Sequence, residues 1–120
     1  MTDHDPGATA QPGIRSWHAH VYFDEASAEQ AAAVCAAAGA QLPVTVGRLH
    51  RSPVGPHPRG SCQLEFAAND LRKVVDWLTW HRDGLTVFMH PNSGDELPDH
   101  RDRAIWFGAS ETLDLTALSR

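Results

Sequence analysis

Long apolar runs are missing from these 120 residues. None approaches the roughly 20 consecutive apolar positions of a bilayer-spanning helix, so no membrane association is expected. Basic residues are few and scattered: ten Lys and Arg against fifteen Asp and Glu leave a net charge of -5. Without a stripe of cations there is no electrostatic footprint of a nucleic-acid binder. Cysteine is scarce. Cys35 and Cys62 each fall on an apolar face in the reading below, where a thiol behaves as a small hydrophobe. A reducing, cytoplasmic setting is the expectation that follows. There is also no Gly-rich phosphate loop, no C-x-x-C pair, no serine-nucleophile elbow, no internal repeat and no low-complexity segment.

The length leaves room for one domain, and a hydrophobic content of 42% suits a soluble core. Met1 to Gly13 is polar, carries Pro6, Gly7, Pro12 and Gly13, and lacks the basic-then-apolar order of a signal peptide. Residues 1–14 are therefore expected to form a disordered tail, and 15–120 a single domain.

What is abundant is histidine. There are eight, in no tag-like tract, and six of them (His18, His20, His50, His57, His90 and His100) lie in three segments.

Ser16 to Asp24 alternates with period two, as a strand with two different faces should. Trp17, Ala19, Val21 and Phe23 share one face; His18, His20 and Tyr22 share the other. Ser27 to Ala38 reads as a helix, with Ser27 and Gln30 as a capping box, Gly39 as terminator, and Ala31, Val34, Cys35 and Ala38 on its apolar stripe. A second strand covers Val44 to His50, with Thr45, Gly47 and Leu49 opposing Val46, Arg48 and His50. Pro53, Pro56 and Pro58 then stiffen the segment RSPVGPHPRG. Ser61 to Ala67 is a third strand, with Cys62, Leu64 and Phe66 facing inward and Gln63 and Glu65 outward. Asn69 is the expected N-cap of a second helix, whose Leu71, Val74, Val75 and Leu78 recur at helical spacing before Gly84. Leu85 to His90 is a fourth strand, where Pro91 is expected to stop the ladder. A long polar loop over Pro91 to Arg103 and a short fifth strand over Ala104 to Gly108 follow, and the last dozen residues are expected to form a peripheral tail.

The order β-α-β-β-α-β is the ferredoxin-like arrangement of the α+β class, with two helices on one face of an antiparallel sheet. The apolar strand faces must meet the helices. The opposite face then gathers His18, His20, Tyr22, Arg48, His50, Gln63, Glu65, Phe88 and His90. Either a second subunit, as in a dimeric α+β barrel, or a tight curl of the sheet would enclose it.

His18 and His20, two apart on a strand, point the same way with Cα atoms roughly 6.5 to 7 Å apart, which lets two imidazoles meet on one metal ion. Taken by themselves they could equally be solvent-facing polar residues; His50 and His90 on the same face favour the metal. His57 sits in a proline-restricted loop suited to presenting a ligand or base. Asp99 could orient His100 by a hydrogen bond. Arg48 could pair with a substrate carboxylate. Glu65 could complete a site of two histidines and a carboxylate, or pair with Arg48. His81 is expected to pack or face water, and Trp80, opposite its helix's apolar stripe, suggests a subunit contact.

The stretches WHAHVYFD, GRLHRSPVGPHP and GLTVFMHPNSGDELPDHRDRAIWFG, in that order and at comparable spacing, resemble the DOPA 4,5-dioxygenase family from about Trp17 to Gly108. The resemblance implies a ferredoxin-like domain, often a homodimer. It implies extradiol opening of a catechol ring by dioxygen at non-haem Fe(II), with L-DOPA the substrate in the fungal pigment branch. The family's histidines match His18, His20, His50, His57, His90 and His100. The expected metal ligands are His20, His57 and His90, with His18 a fourth. His50 and His100 are the proton-transfer candidates, and Arg48 and Tyr22 the substrate contacts. Zn(II) or another divalent ion could occupy the donors in place of Fe(II). Two alternatives use the same residues: a metal- or small-molecule-binding module without turnover, and a cofactor-free monooxygenase or isomerase with histidine bases.

Overall fold

In the computed structural model, which describes residues 13–118, a central strand β1 (Ser16–Phe23) leads into helix α1 (Ala28–Gln41). The hairpin of β2 (Thr45–His50) and β3 (Gly60–Ala67) follows, then α2 (Leu71–His81) and β4 (Val87–Asn92). A short helix α3 (Glu96–Arg101) and an edge strand β5 (Ile105–Phe107) complete the regular elements. The strands form one antiparallel sheet in the order β2-β3-β1-β4-β5. This is the α+β, ferredoxin-like arrangement with an added fifth strand. The expected tail over 1–14 lies outside the described residues except for Gly13 and Ile14. No helix among the described residues is long and apolar enough to cross a membrane.

The core lies between the sheet and α1 and α2. Ala19, Val21 and Phe23 of β1 meet Cys62, Leu64 and Phe66 of β3 and Val87 and Met89 of β4. Against them pack Ala31, Val34, Cys35 and Ala38 of α1 with Val74, Trp77 and Leu78 of α2. Side chains buried as completely as Leu64 and Leu78 each contribute roughly 1.5–3 kcal/mol over leaving them in water. Cys35 and Cys62 are free and buried. Trp80 projects outward, 82% exposed.

Several local expectations change; α2, for one, is entered through a turn at Ala68–Asp70 with Asp70, not Asn69, at its cap position. The chain enters α1 through a turn at Glu25–Ser27 in which Ser27 Oγ accepts from the Asp24 N–H, while Gln30 donates to Asp83 O instead of closing a box. Helix α1 runs past Gly39 to Gln41; that glycine provides clearance, since a Cβ there would stand 2.8 Å from Val46 Cγ2. Strand β2 carries a bulge between Val46 and Leu49, which pair with the inward Leu64 and Cys62. The extra residue breaks strict alternation, so Val46 joins Leu49 on the helix side and His50 stays on the other.

Pro91, expected to end β4, lies within it opposite Trp17. Tyr22 N–H bonds Thr86 O across the same register, so by antiparallel alternation positions 88, 90 and 92 bond β1 and position 91 points away from it. Strand β5 pairs only as far as Met89, so the missing proline N–H falls on an uncovered edge. The segment expected to be a loop over 91–103 holds α3, where Pro98 falls in the first turn and needs no N–H partner.

The sheet face away from α1 and α2 is roofed by the chain itself, not by a curl of the sheet. The proline-rich loop, α3 and the segment after β5 lie over it. Arg59 donates to both carboxylate oxygens of Glu111, at 3.1 and 2.7 Å, and Asp114 N–H donates to Pro56 O.

Candidate metal centre

Strand alternation puts His18, His20 and Tyr22 of β1 on the roofed face, and the β1–β4 register sets His90 directly opposite His18 and Phe88 opposite His20. The ligand nitrogens of His18, His20 and His90 all lie within 4.8 Å of one another, a group able to hold a metal ion. His20 Nε2 and His90 Nε2 are 3.0 Å apart. Two nitrogens bound at about 2.1 Å and at right angles on one cation would sit about 3 Å apart, so the spacing suits a metal as well as a hydrogen bond.

Protonation states favour ligation. Burial drives His20 well below the ordinary histidine value, and the neighbouring His57 and His90 add to the effect. Burial also takes His90 down to about 3, against the opposing pull of its bond to Pro91 O. His18 is lowered by burial, partly offset by Glu65, whose carboxylate lies 3.6 Å from its Nε2. Neutral rings are the form a cation takes up. His90 Nδ1 lies 2.9 Å from Pro91 O, a carbonyl that can only accept. The proton is therefore on Nδ1, and Nε2 offers its lone pair to the cluster.

His57 is buried in the roof with its ring centroid 4.1 Å from that of His20, but it is not one of the three whose donor atoms converge. Its Nδ1 lies 2.8 Å from the Tyr22 hydroxyl. Tyr22 is fully buried and its hydroxyl has no other hydrogen-bond partner among the described residues, so its proton is satisfied only by donating to His57 Nδ1. Burial raises the phenol, which keeps it a donor, and lowers His57 to about 4. The neutral ring therefore carries its proton on Nε2.

His100 has the opposite tautomer. Its Nδ1 lies 2.7 Å from Glu96 O and donates to it, leaving Nε2 with a lone pair; its ring centroid is 3.9 Å from that of His90. Asp99, expected to orient His100, faces the other way on α3. It is 2% exposed and accepts from Ser93 N–H, Ser93 Oγ and Arg103. Burial alone would raise its carboxyl, but those three donors hold it below the usual carboxylate value.

These rings line a cleft of about 510 Å³, which His18, His20, His57, His90 and His100 share with Pro56, Ala117 and Leu118 of the roof. His20, His57 and Gln63 also border a side recess of about 150 Å³ that holds Arg48 and His50. Tyr22 lies behind His57 and lines neither space. Glu65, on the same face, pairs with His18 and not with Arg48. His81 stacks on Trp77 on the helix side, with centroids 4.7 Å apart. The segment after Gly108, expected as a peripheral tail, instead supplies Ala117 and Leu118 to the cleft and Glu111, which closes the roof with Arg59; that pairing spans 52 positions and leaves no local pattern.

A family model described as the Dopa 4,5-dioxygenase family matches residues 17–117. The chain is similar to a DOPA 4,5-dioxygenase of Amanita muscaria, 34% identical over 114 residues, covering 88% of this chain and 50% of that one. It is also similar to an uncharacterized 21.2 kDa protein of Botryotinia fuckeliana, 33% identical over 61% of this chain and 44% of the other. The chain thus spans about half the length of the curated relatives it matches. A crystal structure of a candidate dioxygenase from Nostoc punctiforme superposes with a TM-score of 0.84 at 43% identity, over 87% of this chain and 90% of that one.

Proposed function

Because this chain belongs to the Dopa 4,5-dioxygenase family, we propose that it opens the ring of a catechol with dioxygen, at Fe(II) held by His18, His20 and His90. The observation that carries this reading is the convergence of three neutral imidazoles at the floor of a cleft large enough for an aromatic ring. Bound there, Fe(II) would supply a site where a catechol and dioxygen meet and would lower the phenolic pKa.

The remaining steps belong to the chain's own groups. His100 Nε2, with its lone pair free, takes a catechol proton as general base; its bond to Glu96 O holds the ring in that tautomer. His57 Nε2–H is the proton donor on the other side, fixed by Tyr22. Pro56, Ala117 and Leu118 limit water above the ring, and Arg48 and His50 face the ring's substituent from the side recess.

Anaerobic purification, loading with Fe(II) and addition of catechols under air tests the reading. The expected result is a coloured ring-fission product with oxygen consumed one for one. Stoichiometric iron with no turnover of any catechol overturns it.

A further inference from the structure

The side recess beside the histidine cluster is lined by polar groups that no part of the chain satisfies. Ser61 is only 3% exposed, yet its hydroxyl has no hydrogen-bond partner among the described residues. A buried polar group left unpaired costs free energy, so a native one calls for a partner from outside the chain. The Gln63 amide, the His50 ring and the Arg48 guanidinium line the same recess, and none of them makes a side-chain hydrogen bond or ion pair among the described residues. Most other arginines of the chain are paired: Arg51, Arg59, Arg72, Arg101 and Arg103 all have carboxylate partners.

The charge of the recess has one sign. Arg48 is its formal charge, and none of its lining residues among those described is acidic. The nearest carboxylate on this sheet face, Glu65, is engaged with His18 and lines neither the recess nor the cleft. A planar fork, a ring N–H, a hydroxyl and an amide N–H around a small space suit a carboxylate. An ammonium beside that carboxylate would meet the Arg48 cation in a recess that holds no anion; the carboxylates of the adjoining cleft, Glu96 and Asp99, stand on α3 with His100, and Asp99 is taken up by Ser93 and Arg103.

The recess adjoins the cleft through His20 and His57, so a group reaching it would be attached to a ring lying over the metal centre. We infer that the side recess takes the carboxylate of a catechol-bearing acid and disfavours a substrate that carries an ammonium next to that carboxylate. This names the substrate class of the reading above and rests on it for the ring chemistry, though not for the recognition of the acid.

Two measurements separate the parts. The first uses non-reacting probes on the protein as purified: hydrocinnamate, phenylalanine and phenethylamine, followed by titration calorimetry and by amide shifts of Arg48, His50 and Ser61. Hydrocinnamate is expected to bind about tenfold or more tighter than phenylalanine, with phenethylamine weakest. Arg48→Gln and Ser61→Ala should each weaken hydrocinnamate, and Arg48→Gln should erase its advantage. Arg48 is exposed on an edge strand, so this variant is expected to fold, which circular dichroism checks. Equal binding of the three probes, or a hydrocinnamate advantage that survives Arg48→Gln, overturns the inference. The second measures kcat/KM of the Fe(II)-loaded protein for dihydrocaffeate, L-DOPA, dopamine and methylcatechol. Dihydrocaffeate should lead L-DOPA by about tenfold. A lead for L-DOPA overturns the inference while leaving ring cleavage intact. Hydrocinnamate binding without turnover of any catechol, methylcatechol included, overturns ring cleavage and leaves the acid recess standing.

Discussion

On one side of the sheet, Ala19, Val21 and Phe23 meet two helices whose own residues repeat at helical spacing; on the other, His18, His20 and Tyr22 meet the proline-rich loop, a six-residue helix and the segment after β5. The helix side is dry and apolar and is held by area. The histidine side is held by specific pairs: Arg59 with Glu111, Asp99 with Ser93 and Arg103, and Tyr22 with His57. The first kind of construction gives stability that tolerates small adjustments. The second positions lone pairs and protons, which is what chemistry needs, and it costs buried polar groups that must all be matched.

If the contrast holds, changes on the two faces should be read by different instruments. The largest effect is expected from His20→Gln or His90→Gln. Either should remove bound iron and reduce turnover by about 1,000-fold or more, roughly 4 kcal/mol of barrier, with little change in the urea midpoint of the metal-free protein. Unaltered iron content by metal analysis would count against the three-histidine centre. Leu78→Ala should do the reverse, destabilising the fold by about 2–5 kcal/mol in urea while iron per folded chain stays constant.

Acid should attack the histidine side first. His57 and His90 titrate in the fold at about 4 and about 3, below the roughly 6.5 of an unfolded chain. The unfolded form therefore binds protons first as pH falls. Their contribution to stability is complete above about pH 6.5 and is lost as pH drops toward the folded values. Each of the two rings should cost the metal-free protein on the order of 2–3 kcal/mol between pH 6.5 and 4, and His57→Gln should remove its share of that slope. Chemical denaturation across this range measures both.

Asp99→Asn weakens acceptance from Arg103 and Ser93. It should cost about 2 kcal/mol and reduce turnover through a loosened α3 that carries His100. The smallest effect, about 1 kcal/mol, is expected for Glu111→Gln, which loosens the roof over the cleft. Faster proteolysis after β5, with the core transition unmoved, would mark the roof as a separate cooperative unit.

The readability of the chain divides along the same line. The alternation of β1 and the helical spacing of Val74 and Leu78 are repeats of local geometry, so the faces of β1, β3 and α2 could be read directly. The pattern also assigned His18, His20 and His90 to one face. What it could not supply were features decided by distant partners. The bulge at Val46 and Leu49 depends on β3 and on Gly39 of α1. Helix α3 is too short to show a period, and the buried Asp99 that holds it resembles any loop carboxylate. Whether His57 binds a cation or carries a proton depends on a tyrosine hydroxyl 35 positions away.

The central position of β1 has one more consequence. With β3 bonded along one edge and β4 along the other, its amides should be among the slowest to exchange with solvent deuterium. His18 and His20 thus ride on the strand that opens last. The loop of His57 and the segment after β5 share no sheet ladder and are expected to exchange sooner. Admitting a substrate and retaining a cation would then be separate opening events on separate timescales, and the lid could breathe many times for each release of the ion.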